Sequence, residues 1–77
     1  MPPETIRLDV MGMRCPIPVQ RIRMAIRDNP EWEQIELIGD DPESLHDIPA
    51  LALRMGLSEP VVTEVEGGWA FSLVNGH

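Results

Sequence analysis

The chain has 77 residues, 43% of them hydrophobic, and a formal net charge of −7. That length holds one domain at most, and the apolar share is that of a folded chain. An acidic balance of this size leaves no electrostatic footprint for direct nucleic-acid binding, a single cysteine excludes an internal disulfide, and no apolar run approaches the roughly 20 residues of a membrane span.

Residues 1–77 are therefore read as a single domain with one thin core, frayed at 1–4 and 75–77. The start lacks the basic and apolar regions of a signal peptide, so the cytoplasm is the expected compartment. A small acidic domain is most simply a monomer. All six positive residues are arginines, and five of them (Arg7, Arg14, Arg21, Arg23, Arg27) precede residue 28. This lopsided charge reads equally as a solvated face or as a patch for a partner.

From Thr5 to Val10 the pattern alternates, with Ile6, Leu8 and Val10 on one side. That predicts a half-buried strand. Gly12 then permits a turn. Helical spacing follows from Pro16 to about Asp28, with Val19, Ile22, Ala25 and Ile26 on one face. Pro16 and Pro18 fit only a first turn, and Pro18 biases the regular helix to begin near itself. Asn29–Pro30 closes it.

Trp32–Ile38 is predicted as the second strand, ended by Gly39. Asp40–Asp41–Pro42–Glu43 signals a helix start, with Asp41 as N-cap and Pro42 at the first helical position. The expected stripe is Leu45, Ile48, Ala52 and Met55. Pro49 should kink this helix or split it, with Asp47 capping the second piece. Gly56 is the stop. Val61–Glu66 and Trp69–Val74 read as two strands joined at Gly67–Gly68, with Val61, Thr63 and Val65 alternating in one and Trp69, Phe71 and Leu73 in the other. The order β-α-β-α-β-β, with one apolar stripe per helix, predicts an α+β fold: a two-layer α/β sandwich, its four-stranded mixed sheet carrying both helices on one face.

The stretch Met11–Val19 holds the only thiol, at a strand-to-helix junction. A cysteine just before a first turn faces unpaired N–H groups and the positive end of the helix dipole. Both favour the thiolate, Arg14 is an adjacent cation, and a lowered pKa is expected. Pro16 and Pro18 remove two donors but hold the sulfur rigidly. The bland alternative is a small core residue. Neither periodic pattern places Cys15 in the core, so the reactive reading leads.

Other chemistries find less support. A zinc site would have to gather Cys15, His46 and His77 at no recognised spacing. A Cys/His pair needs His46 beside Cys15, and a surface histidine is the simpler reading. There is no second axial ligand for haem and no phosphate loop. Asp9 would raise the thiol pKa, so it is read as accepting turn N–H groups. Met11 and Met13 read as a soft exposed patch or as core, and Trp32 and Trp69 as core or sheet-edge packing.

Leu8–Asp9–x–x–Gly12–x–x–Cys15–Pro16–x–Pro18–Val19 resembles the signature of the TusA/SirA-like sulfur-carrier family. Asp40–Asp41–Pro42, then Asp47–Ile48–Pro49, then Gly56, is similar to the family's other motif at its usual spacing. The resemblance implies the family's two-layer sandwich, with Cys15 carrying a persulfide between proteins. It implies a cysteine desulfurase or rhodanese-like donor and a downstream sulfur-acceptor protein, in tRNA thiolation, oxidative sulfur metabolism or cofactor assembly. It implies no metal and no organic cofactor. On this reading Arg14, Pro16 and Pro18 support the thiolate or persulfide. Arg21, Arg23 and Met13 are expected partner contacts. Asp9, Gly12, Asp41, Pro42, Asp47 and Pro49 form the structural motif.

The chain departs from the family pattern in three places. Many members carry a second cysteine in the second helix, where this chain reads Ala50–Leu51–Ala52–Leu53; a two-thiol mechanism is excluded. Asn29–Pro30–Glu31–Trp32 stands where relatives often have a glycine, and lysines are absent. The alternative from another class is a regulatory or interaction domain with Cys15 as a redox sensor. A thiol titrating near the free value of about 8.5 would weaken the carrier reading.

Overall fold

Alternation in the strands and 3.6-residue spacing in the helices produce the expected element order. A computed structural model describes residues 5–75. It contains β1 (Thr5–Val10), α1 (Ile17–Asp28), β2 (Gln34–Gly39), α2 (Ser44–Arg54), β3 (Val61–Val65) and β4 (Gly68–Val74). The fraying expected at 1–4, 76 and 77 lies outside the described residues. Asn75, expected in the tail, is instead held: its backbone N–H donates to the Glu33 carbonyl at 2.9 Å and its Nδ2 to the Trp32 carbonyl at 3.0 Å.

The sheet order is β1-β2-β4-β3, with β1 parallel to β2 and the other two pairings antiparallel. Partners directly opposite each other share a face. Ile6–Ile35–Leu73 and Leu8–Leu37–Phe71 are thus rows on the helix side. They meet Ile22 and Ala25 of α1, and Ile48, Leu51 and Ala52 of α2, in one buried cluster with Val10 and Trp32. This is the predicted two-layer sandwich with both helices on one face.

Several expectations are corrected in detail. Trp32 lies before β2, in a turn closed by its N–H on the Asn29 carbonyl at 2.9 Å, and its ring is buried in the core. In α2 the stripe is Ser44, Ile48, Leu51 and Ala52, whereas Leu45 and Met55 are exposed. Pro49 does not split α2, which runs unbroken from Ser44 to Arg54. In β3, Val62 pairs Phe71, so Val61, Thr63 and Val65 face away from the helices. No helix covers this edge strand, and Val61 remains 65% exposed.

Two ends follow from local chemistry. At the end of α2, Leu57 N–H donates to the Ala52 carbonyl and Gly56 N–H to the Leu53 carbonyl, at 2.9 and 3.1 Å. Gly56 at φ +74° makes this paired closure possible. The β3–β4 loop is Glu66–Gly67, one residue earlier than predicted, because Gly68 pairs Val65 inside the ladder. Gly67 takes the positive φ of +81° that the turn needs.

Gly68 serves close approach. A Cβ there would land on the Gly39 carbonyl oxygen and lie 3.2 Å from the Asp40 Cα. This brings the start of β4 against the strand end that leads into Asp40 and Asp41. Gly68→Ala is expected to cost about 1–3 kcal/mol by overpacking against backbone, read as a lower denaturant midpoint. An unchanged midpoint would show that the strands tolerate separation there.

Candidate functional site

Three aspartates from the loop after β2 and from α2 grip the loop after β1. Asp40 Oδ1 accepts the Gly12 N–H at 2.9 Å and Arg14 Nη1 at 3.0 Å. Buried Asp41 accepts the Cys15 N–H through Oδ2 at 2.8 Å and the Glu43 N–H through Oδ1 at 3.1 Å. Asp47 Oδ2 accepts the Cys15 Sγ–H at 3.2 Å. A buried carboxylate is tolerated only when its oxygens are hydrogen-bonded, and both oxygens of Asp41 are.

The remaining motif residues fall into place around this clamp. Asp9 Oδ1 accepts the Met11 N–H at 3.0 Å, as expected of a turn-stabilising aspartate. Gly12 adopts φ +80°. Asp41 and Pro42 form a turn ahead of the helix: their carbonyls accept the Ser44 and Leu45 N–H groups at 3.0 and 3.1 Å. The regular helix therefore starts two residues later than the predicted first position at Pro42. Pro49 is half-buried within α2. Asp47 does not cap a second helical piece; it sits in the first turn of α2 and turns its carboxylate to the thiol.

Cys15 is exposed, and its peptide bond to Pro16 is cis. The thiol opens into a shallow cavity of about 210 Å³ between the head of α1 and α2, walled by Pro16, Val19, His46, Asp47 and Arg54. His46 is exposed, as the sequence reading expects, and it also lines the same cavity as the sulfur.

The electrostatics reverse the sequence-based expectation. The Cys15 thiol is pushed up from 9.0 to about 11, first by its hydrogen bond to Asp47, then by desolvation, then by the charges of Asp47 and Glu43. The helix dipole offers roughly half a positive charge at the head of α1. Pro16 and Pro18 carry no N–H, and the Ile17 N–H is taken by the Arg14 carbonyl at 2.9 Å. Against that weakened end stand two full negative charges, with the ligand atoms of Cys15, Glu43 and Asp47 within 4.8 Å of one another. The carboxylates win, and the resting thiol is protonated at neutral pH.

Arg14 does not aim at the sulfur. It is engaged by Asp40, whose carboxyl is held below the usual carboxylate range first by the Gly12 N–H and then by Arg14. Pro18 is buried beneath the head of α1. Arg21 and Arg23 are exposed on α1, while Met13 is half-buried against the core; the exposed methionine of this loop is Met11. Asp40 and Glu43, read from the sequence as a helix start and, for Asp40, as part of the second motif, reach the thiol loop across 26 residues or more of chain, a link that no local spacing signals. The exposed Cys15–Glu43–Asp47 set is compact, yet nothing beyond the cluster itself points to a cation, and no metal is assigned to it.

Fold and site together define a class: a two-layer α/β domain that offers one exposed thiol at a helix head. The chain belongs to the TusA family, since the model described as sulfurtransferase TusA matches residues 6–74. It is 36% identical over 62 residues to an Archaeoglobus fulgidus protein provisionally named a sulfur carrier protein, covering 80% of each chain. Its fold is similar to the crystal structure of a SirA-like protein from Desulfitobacterium hafniense, with a TM-score of 0.81 and 27% identity over 94% of this chain and 99% of that one.

Three outcomes follow from the site's charges. Alkylation of Cys15 against pH should have its midpoint near 11, and Asp47→Asn should move it down toward 9.0; an unshifted midpoint would remove Asp47 as the cause. The folded thiol keeps its proton to higher pH than the unfolded one, so stability falls as pH rises from 9.0 through about 11. Asp40 behaves oppositely. Its folded carboxyl ionises more readily, so its contribution is present above the ordinary 3.8 and is lost as pH falls below it. Wild type and Asp40→Ala should therefore differ in melting temperature at pH 7 and converge in acid.

Proposed function

We propose that this chain is a sulfur carrier in which Cys15 accepts sulfane sulfur as a persulfide and passes it to a partner protein. The reading is carried by one observation: a TusA-family chain holds its only cysteine exposed, in a shallow open cavity, with its own backbone N–H tied to buried Asp41. The tie and the rigid prolines hold the sulfur in one presentation while leaving one side open to a docked protein.

The chemistry balances without an oxidant. A donor persulfide R–S–SH meets Cys15–SH. The Cys15 sulfur attacks the terminal sulfur, the donor S–S bond breaks, and R–SH and Cys15–S–SH result. In the second step an acceptor thiol attacks the terminal sulfur of Cys15–S–SH, and Cys15 leaves as the thiol. No resident metal or organic cofactor is needed.

The donor is a cysteine desulfurase or a rhodanese-like protein. The acceptor belongs to a sulfur relay such as tRNA thiolation or oxidative sulfur metabolism. Exposed Arg21 and Arg23 contribute to docking, and the chain works as a cytoplasmic monomer. Among the described residues no helix is long and apolar enough to cross a membrane. The raised thiol is the opposite of what the sequence-based discriminator asked of a carrier, and it counts equally against the redox-sensor reading, since oxidation also follows thiolate character; the carrier reading rests on the family and on the exposed presentation of the thiol.

Intact-mass measurement tests the proposal. After incubation with a cysteine desulfurase and cysteine, or a rhodanese and thiosulfate, the chain should gain one sulfur. Reductant should remove it, and Cys15→Ser should lack it. No adduct from several competent donors would sink the reading.

A further inference from the structure

A protonated thiol is a poor nucleophile, so loading Cys15 at neutral pH requires somewhere for its proton to go. Few groups face the sulfur. The loop before it brings Arg14, which is engaged with Asp40. The head of α1 brings Pro16, Ile17 and Pro18, none of which titrates. The N-cap of α2 brings Glu43, and the helix itself brings His46, Asp47 and Arg54. Among these, Asp47 is the acceptor of the Sγ–H hydrogen bond, at 3.2 Å.

Resting on the carrier reading above, we propose that Asp47 is a catalytic residue of sulfur transfer: it takes the Cys15 proton as the new S–S bond forms and hands it to the departing donor sulfur. A carboxylate is a far weaker base than a thiolate, so the proton does not leave in advance. It moves as the Cys15 sulfur commits its electron pair to the terminal sulfur of R–S–SH and its S–H bond acidifies. The donor S–S bond breaks at the same time, and its electron pair becomes the basic R–S⁻. The proton passes through the Asp47 carboxyl to that sulfur, giving R–SH and Cys15–S–SH with Asp47 ionised again. In the return step the same carboxyl relays the acceptor's proton to the leaving Cys15 sulfur.

This arrangement gives the negative carboxylate two effects of opposite sign. Toward a reagent that needs a free thiolate, Asp47 is an inhibitor, since it holds the thiol protonated. Toward a persulfide whose leaving sulfur must be protonated, it is an accelerator. Charge alone produces the first effect and not the second, so the pair of effects separates a proton relay from a bystanding charge.

The test compares wild type with Asp47→Asn, which keeps shape and removes the acceptor charge. Glutathione hydropersulfide is the sulfur probe, with loading followed by intact mass from pH 6 to 9. Iodoacetamide reports the thiolate supply at each pH. Titration of the probe itself is common to both chains and cancels in their ratio. Asp47→Asn is expected to alkylate faster than wild type at pH 8, yet to load roughly 10²-fold more slowly at pH 7, the lower end of what positioned proton transfer contributes. Its loading should rise with pH in step with its alkylation, whereas wild-type loading should be flatter than wild-type alkylation. If Asp47→Asn loads as fast as wild type or faster, Asp47 is a charge and not a relay, and the proposal is overturned while the carrier reading stands. A wild-type chain that gains no sulfur overturns the carrier reading and the relay with it. Should Asp47→Asn fail to fold, Asp47→Ser, whose hydroxyl is a poor base, is read the same way.

Discussion

The Asp41 carboxylate is the constraint on which the rest of the site depends. It is buried, so each of its oxygens must find a donor. One binds the Cys15 N–H and the other the Glu43 N–H. A single side chain thereby ties the loop before α1 to the turn that starts α2. Asp40 beside it repeats the tie on Gly12 and Arg14. The thiol stands where it does because its own backbone is anchored to the opposite helix start.

That anchoring explains why the helix-dipole argument fails here. A lone helix head with a cysteine favours the thiolate. In this fold the heads of α1 and α2 share one end of the helix layer, so the acidic first turn of α2 faces the sulfur. The positive end of the second dipole suits Asp47 and Glu43, which then dominate the thiol. One carboxylate at hydrogen-bonding range and a second within 4.8 Å outweigh a partial charge from an end that two prolines have stripped of donors. A protonated thiol is less prone to alkylation and oxidation than a thiolate.

The sheet supplies the geometry for this meeting of helix heads. Parallel pairing of β1 with β2 puts both strand ends, Val10 and Gly39, in register at one edge. The two aspartates that follow Gly39 are then level with the loop that follows Val10. Close approach at Gly68 holds β4 against the same strand end. The uncovered edge strand β3 and the arginines of α1 are exposed.

Alternation and helical spacing determined the element order, the mixed two-layer fold and most of the core, because each is written in residues a few positions apart. The lone cysteine and its prolines were equally legible, and the resemblance placed the second motif beside the first in importance. Which face Val61, Thr63 and Val65 take was decided by pairing with β4, and the stripe of α2 by the angle at which it packs; neither is a local property. The same holds for the site. Asp41, Asp47 and Glu43 lie 26 to 32 residues beyond Cys15, and local spacing says nothing about contacts across such a separation. The sequence alone determined that there is one thiol at a helix head. Only the tertiary structure decided that this thiol holds its proton to higher pH than a free cysteine, because folding, and not chain order, brings to it the carboxylates that raise it.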